Sequence, residues 1–167
     1  RRYKGLDILI EALANERLDK KSLKLIVAGE FYEDKSFYLD LIARNNLDET
    51  IIIADKFIPD DDVANYFCAA DIIVQPYRDA TQSAVTQVAY HFEKPILVTD
   101  IGGLKETVPH HKVGYVTKPN PTAVSDAIID FYQNNREEEF VVGVKDEKRK
   151  FSWEKMVDAI MNIHKTI

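Results

Sequence analysis

The sequence predicts a doubly wound α/β fold, a parallel sheet with helices on both faces. Short apolar runs rich in β-branched residues, such as Ile51 to Ile53 and Ile72 to Val74, alternate with stretches whose apolar residues recur at helical spacing. Runs apolar at every position suit strands buried on both sides, and strands separated by helices pair in parallel through crossovers. Ligands of such sheets bind beyond the carboxyl ends of the strands.

Leu6, Leu9, Ile10 and Leu13 form one face of a first helix, and Leu25 to Ala28 form a strand that ends at Gly29. A second helix is expected from about Lys35 to Asn45 on Phe37, Leu41 and Ile42, before the strand at Ile51 to Ile53. Pro59 stops that extended segment, Asp60 is a candidate cap, and Val63, Tyr66, Phe67 and Ala70 repeat the helical spacing. Ile72 to Val74 then give a strand.

Between Pro76 and Pro95 a polar loop, Arg78 to Ser83, leads into a helix and the strand Ile96 to Val98. Thr99 to Gly103 lead into a further helix start near Leu104. Gly114 to Val116 read as a strand, and Asn120 with Pro121 as cap and first turn of a helix faced by Val124, Ala127, Ile128 and Phe131. Arg136 to Lys150 read as a solvated helix or connection. Ser152 caps a last helix, about residues 152–165, with Trp153, Met156, Val157, Ile160 and His164 on one side.

Composition narrows the classes of partner. With 167 residues and 46% apolar content, the chain can bury one ordinary core, so residues 1–167 are expected to form a single domain. A net charge of -6 argues against nucleic acid, which demands clustered cations. Cys68 is the only cysteine, which excludes an internal disulfide and fits a reducing compartment; on its helix it is expected to be buried and inert. No run approaches the ~20 apolar residues of a transmembrane span, and no His, Cys and carboxylate cluster has the spacing of a metal site. Arg1, Arg2, Tyr3, Lys4 and Gly5 run directly into a helix, as in a piece of a longer chain.

The two successive helix starts, after Ser83 and near Leu104, are expected to aim unpaired backbone N–H groups and positive dipole ends at one sheet edge. That arrangement favours an anion, and a phosphorylated ligand is the expected occupant.

Taken in order, Lys4 to Glu11, Leu25 to Gly29, Ala69 to Val74, and Lys94 and Pro95 with Thr99 to Leu104 and Glu106 resemble the C-terminal half of group 1 (family 4) glycosyltransferases. The resemblance covers nearly the whole chain, and its specificity lies in the order of the motifs. It implies one Rossmann-like half of a GT-B architecture, in a retaining enzyme that uses a nucleoside-diphosphate sugar as donor substrate and no cofactor. The acceptor, a saccharide or a lipid-linked sugar, would be held by an N-terminal domain outside this chain. A cytoplasmic location, peripheral to the membrane through that other half, and a role in polysaccharide biosynthesis are further implications.

By the same resemblance Lys4 lies beside the donor diphosphate, and the amides of Thr81, Gln82, Ser83 and Ala84 occupy the family's phosphate-binding loop. Phe57, Ile58 and Gly29 fall where the nucleobase and ribose are held. Ungapped counting from Pro76 and Pro95 puts the family's Glu-x7-Glu signature at Ala80 and Val88, so neither carboxylate is present. Gln87 is a candidate ribose contact in place of the missing second acid. Thr81 is equally an ordinary cap, Phe57 equally core, and no catalytic residue is assigned. The rival readings are a GT-B sugar-nucleotide epimerase, a degenerate nucleotide-binding homologue, and a receiver-type signalling module for which only Asp55 is suitably placed.

Overall fold

The computed structural model describes residues 1–164. A short 3-10 turn, Arg2–Lys4, leads into α1 (Leu6–Leu13), followed by β1 (Leu25–Ala28), α2 (Ser36–Arg44), β2 (Ile51–Ala54), α3 (Asp60–Ala69) and β3 (Ile73–Gln75). Then come α4 (Ala84–His91), β4 (Ile96–Thr99), α5 (Leu104–Thr107), β5 (Gly114–Thr117), α6 (Pro121–Gln133), α7 (Glu137–Lys148) and α8 (Trp153–His164). The expected end of α8 at residue 165 lies outside the described residues.

All strand pairing is parallel, but the sheet is in two pieces. β1 pairs with β2 from Leu25 opposite Ile51 to Ala28 opposite Ala54, while β4 pairs with β3 on one side and β5 on the other. A cleft of about 1050 Å³ runs where β1 faces β3, the place at which the order of strands reverses. Such a switch point is where this class of sheet holds its ligands.

Side-chain alternation explains the layers. Leu97 and Tyr115 point into a core shared with α1 and α6, whereas Ile96, Val98 and Val116 point into a second core with Tyr90, Leu104 and Val144. Both faces of β3–β4–β5 are therefore covered, and all four residues of β4 are buried. The β1–β2 pair is covered on one face only: Leu25 and Val27 pack on the first core, while Ile26 and Ile52 stay 42% and 51% exposed. α3 buries no residue fully; its Phe67 packs beside the second core and stacks on Phe92 just beyond α4, with ring centroids 5.4 Å apart.

Several expectations shift on inspection. Pro59, not Asp60, occupies the cap position of α3, and no side chain caps it. Tyr38, rather than Phe37, supplies the buried aromatic of α2. α5 is one turn long: Val108, which precedes Pro109, has left the helical region, with a ψ of 85. The charged stretch from Arg136 to Lys150 is helical but anchored: Phe140 and Val144 are core residues, and the buried Glu147 accepts from Lys112 at 2.9 Å and Lys150 at 2.5 Å. Burial pushes the Glu147 carboxyl up, yet these lysines outweigh it and leave it below the ordinary range. Cys68 is exposed, since it projects away from the Val63, Tyr66 and Phe67 side of α3.

Two capping expectations hold in detail. Asn120 accepts from the Ala123 amide at 2.9 Å with Pro121 in the first turn, and Ser152 accepts from the Lys155 amide at 3.3 Å. The apolar side of α8 is open to solvent, with Trp153 78% exposed.

Candidate functional site

The site begins at Gly5. Its φ of +65 is the left-handed turn that ends the 3-10 segment and starts α1, and a Cβ here would lie 1.9 Å from the carbonyl oxygen of Pro76. Glycine thus lets the first turn of the chain press on the loop after β3. The Arg78 amide donates to the Tyr3 carbonyl at 2.8 Å, and the Arg78 guanidinium pairs with Asp7 at 2.5 Å. These contacts hold Lys4 over the loop: its ammonium donates to the Tyr77 hydroxyl at 2.7 Å and lies 4.1 Å from the ring centroid.

Tyr77 is 6% exposed, and its hydroxyl lies 3.4 Å from Ser83 Oγ. Its carbonyl accepts from the buried Thr99 hydroxyl, which fastens the loop to the end of β4. Ser83 is the residue before α4, with extended backbone, and its side chain does not cap the helix. Among the described residues, the N–H groups of Thr81, Gln82, Ser83 and Ala84 meet no protein acceptor. Exposed amides at the start of an eight-residue helix, with a lysine joined to them through one tyrosine, form a ready cradle for an anion.

A second loop supports this cradle from behind. The Gly103 amide donates to the Thr81 carbonyl at 3.0 Å, and a Cβ on Gly102, whose φ is +52, would meet the Ala80 carbonyl oxygen at 1.7 Å. The segment before α5 therefore braces the loop before α4. This corrects the expectation of two helix mouths: a single turn carries little dipole, and its glycines serve as packing.

Lys4 and Ser83 are thus brought together through Tyr77; Lys4, Gly29, Glu30, Tyr77 and Val85 line the cleft, while Thr81, Gln82, Ser83 and Ala84 lie outside its lining. Phe57 and Ile58 do not line it; Phe57 is 67% exposed after β2. Gln87 is exposed, one turn into α4. Thr81 is not the cap of α4 but an acceptor for Gly103. Ala80 packs on the second core and Val88 is half-buried, so no carboxylate takes the two signature positions. Arg1 stacks on Tyr32 at 4.6 Å, Arg2 on Phe37 at 5.5 Å, and a hydrogen bond from Arg1 holds the Tyr3 hydroxyl below the usual phenol range.

Tyr77 is the residue that sequence reasoning missed. Its signal was present: an aromatic hydroxyl next to Pro76, at the end of a strand and six residues before the cap of the next helix. Among the described residues, no group of three His, Cys, Asp or Glu side chains is placed to hold a metal ion.

A parallel α/β sheet flanked by helices, with a cleft at the point where its strand order reverses, defines a Rossmann-like class of fold. Residues 1–134 match the family described as "Glycosyl transferases group 1", and the chain belongs to that family. It is 29% identical over 167 residues to an uncharacterized glycosyltransferase of Methanocaldococcus jannaschii, covering 98% of this chain and 45% of that protein. The chain therefore spans less than half the length of that relative. Among solved structures it resembles Anabaena HepE in complex with UDP, with a TM-score of 0.83 at 18% identity, covering 100% of this chain and 46% of that one. It also resembles the C-terminal domain of a glycosyl transferase group 1 family protein (LpcC) from Francisella tularensis, with a TM-score of 0.81 at 19% identity over 92% of this chain and 82% of that one.

Proposed function

We propose that this chain is the donor-binding half of a retaining glycosyltransferase, which moves a sugar from a nucleoside diphosphate to a saccharide or lipid-linked acceptor held by another domain. The observation that carries this reading is the joining of Lys4 to the open mouth of α4 through Tyr77. The UDP in the HepE structure supports it as the kind of ligand this fold takes.

When the glycosidic bond breaks, the leaving diphosphate gains negative charge. A fixed ammonium and oriented amides stabilise that charge more than they stabilise the intact donor, and one such contact is worth about 3 kcal/mol in a preorganised site. Lys4 and the amides of Thr81 to Ala84 take this role, so the diphosphate needs no divalent ion. The cleft that passes Gly29 and Glu30 takes the nucleoside. With Ala80 and Val88 at the signature positions, sugar and ribose contacts must come from other groups, Gln87 among them.

Calorimetric titration tests the reading. UDP or GDP is expected to bind the chain, and Lys4→Met to weaken that binding about fivefold or more, as loss of a charge-assisted hydrogen bond does. The chain alone is expected to transfer no sugar. Equal affinity of both variants would remove Lys4 from the diphosphate site.

A further inference from the structure

The geometry points to Tyr77 as a positioning residue for the diphosphate cradle, one that locks the Lys4 ammonium and aims the Ser83 hydroxyl outward. This rests on the diphosphate reading above, in which Tyr77 only marks how close Lys4 lies to α4, and gives the tyrosine hydroxyl itself a role in binding. An ammonium only donates, so in the 2.7 Å contact the Tyr77 oxygen is the acceptor and its own hydrogen is left over. The polar group it meets is Ser83 Oγ at 3.4 Å, and donation to it leaves the serine hydrogen free. Ser83 does not cap α4, so no helix amide competes for its oxygen, which is free to accept from Tyr77. In the inferred arrangement the donors run outward: Lys4 to Tyr77, Tyr77 to Ser83, and Ser83 to the anion at the helix mouth.

Tyr77 is fixed well enough to do this. It is nearly buried in the second core, meets Tyr3 edge-on with centroids 6.3 Å apart, and its carbonyl is held by the Thr99 hydroxyl. Lys4 keeps two further N–H donors for an anion while its flexible stem is held in place over the ring. A long side chain already ordered before binding loses less entropy when the ligand arrives.

The test is a double-mutant cycle with inorganic pyrophosphate as probe, which needs no knowledge of the base, measured on the 167-residue chain at constant ionic strength. Tyr77→Phe keeps the ring and removes only the hydroxyl; it is expected to weaken pyrophosphate about threefold or more. In the Lys4→Met background Tyr77→Phe is expected to cost clearly less than in the parent, about twofold or under, because the part of its effect that runs through Lys4 is already lost and only the part through Ser83 remains. A merely structural tyrosine would give the same fold loss in both backgrounds. Ser83→Ala breaks the chain at its outer end without entering the core, and is expected to weaken pyrophosphate about twofold even if Tyr77→Phe unfolds. If Tyr77→Phe and Ser83→Ala bind as the parent does while Lys4→Met binds weakly, the positioning role falls and the diphosphate reading stands. If none of the variants differs, both fall.

Discussion

Gly102→Ala carries the account of the site furthest, because it perturbs the cradle from behind without touching a donor. Gly102 has a φ of +52, and its new Cβ would lie 1.7 Å from the Ala80 carbonyl oxygen. An ordinary carbon–oxygen contact is about 3.3 Å, so the two loops must part by about 1.6 Å. Left-handed backbone for a residue with a Cβ costs about 1–2 kcal/mol, and forced repacking adds about 1–3 kcal/mol. A total near 3 kcal/mol lowers the midpoint of thermal unfolding by about 6–12 °C for a chain of this size. The displaced segment includes Thr81, so hydrogen bonds from the helix mouth to an anion lengthen beyond useful range and affinity falls about tenfold.

Gly143→Ala is the control. A Cβ there would meet the Lys112 carbonyl oxygen at 1.8 Å, a comparable clash on α7 that falls on the Lys112 backbone and not on the loops around Ala80 and Thr81. Thermal unfolding with pyrophosphate titration on both variants is the assay. The expected result is lost stability in both and lost affinity in Gly102→Ala alone. Equal loss of affinity in the two, or none in Gly102→Ala, would refute the claim that the glycine loop braces the phosphate cradle.

Other outcomes follow from the packing. Asp130 accepts from the Tyr115 hydroxyl at 2.6 Å and pairs with Arg136 at 3.4 Å, and the Tyr115 bond chiefly holds its carboxyl below the ordinary range. A depressed carboxylate stabilises the fold above its unfolded value of about 3.9 and loses that contribution as pH falls through the folded value. Acid unfolding below about pH 4 should therefore be shallower in Asp130→Asn, as followed by circular dichroism. Exposed Cys68 is expected to react with a thiol reagent in the folded chain as fast as in denaturant; protection of the folded thiol would contradict its placement on the open side of α3.

How much of this was legible in the sequence depended on whether the signal was local. Runs such as Ile96 to Val98 and the pair Asn120 and Pro121 fixed their elements, since burial on both sides and capping are read from neighbours in the chain. Lys4 and Ser83 were brought to one place only by the family order of motifs, as their meeting depends on Gly5 packing against Pro76 across the fold. Tyr77 stayed hidden for the same reason: a tyrosine after a strand is ordinary until a lysine from another element is seen to reach it. The exposure of Cys68 follows from its place away from the Val63, Tyr66 and Phe67 side of α3, and the bare face of Ile26 and Ile52 depends on which elements pack over β1 and β2, which the local pattern does not record. The brevity of α5 was local after all, written in Val108 before Pro109.

The most direct measurement is nitrogen–proton correlation spectroscopy of the labelled chain during titration with UDP. The amides of Thr81, Gln82, Ser83 and Ala84 should move farthest, in step with the calorimetric binding curve, and should move clearly less in Lys4→Met at the same nucleotide concentration. Binding that leaves those four resonances in place while others shift would put the diphosphate elsewhere on the molecule.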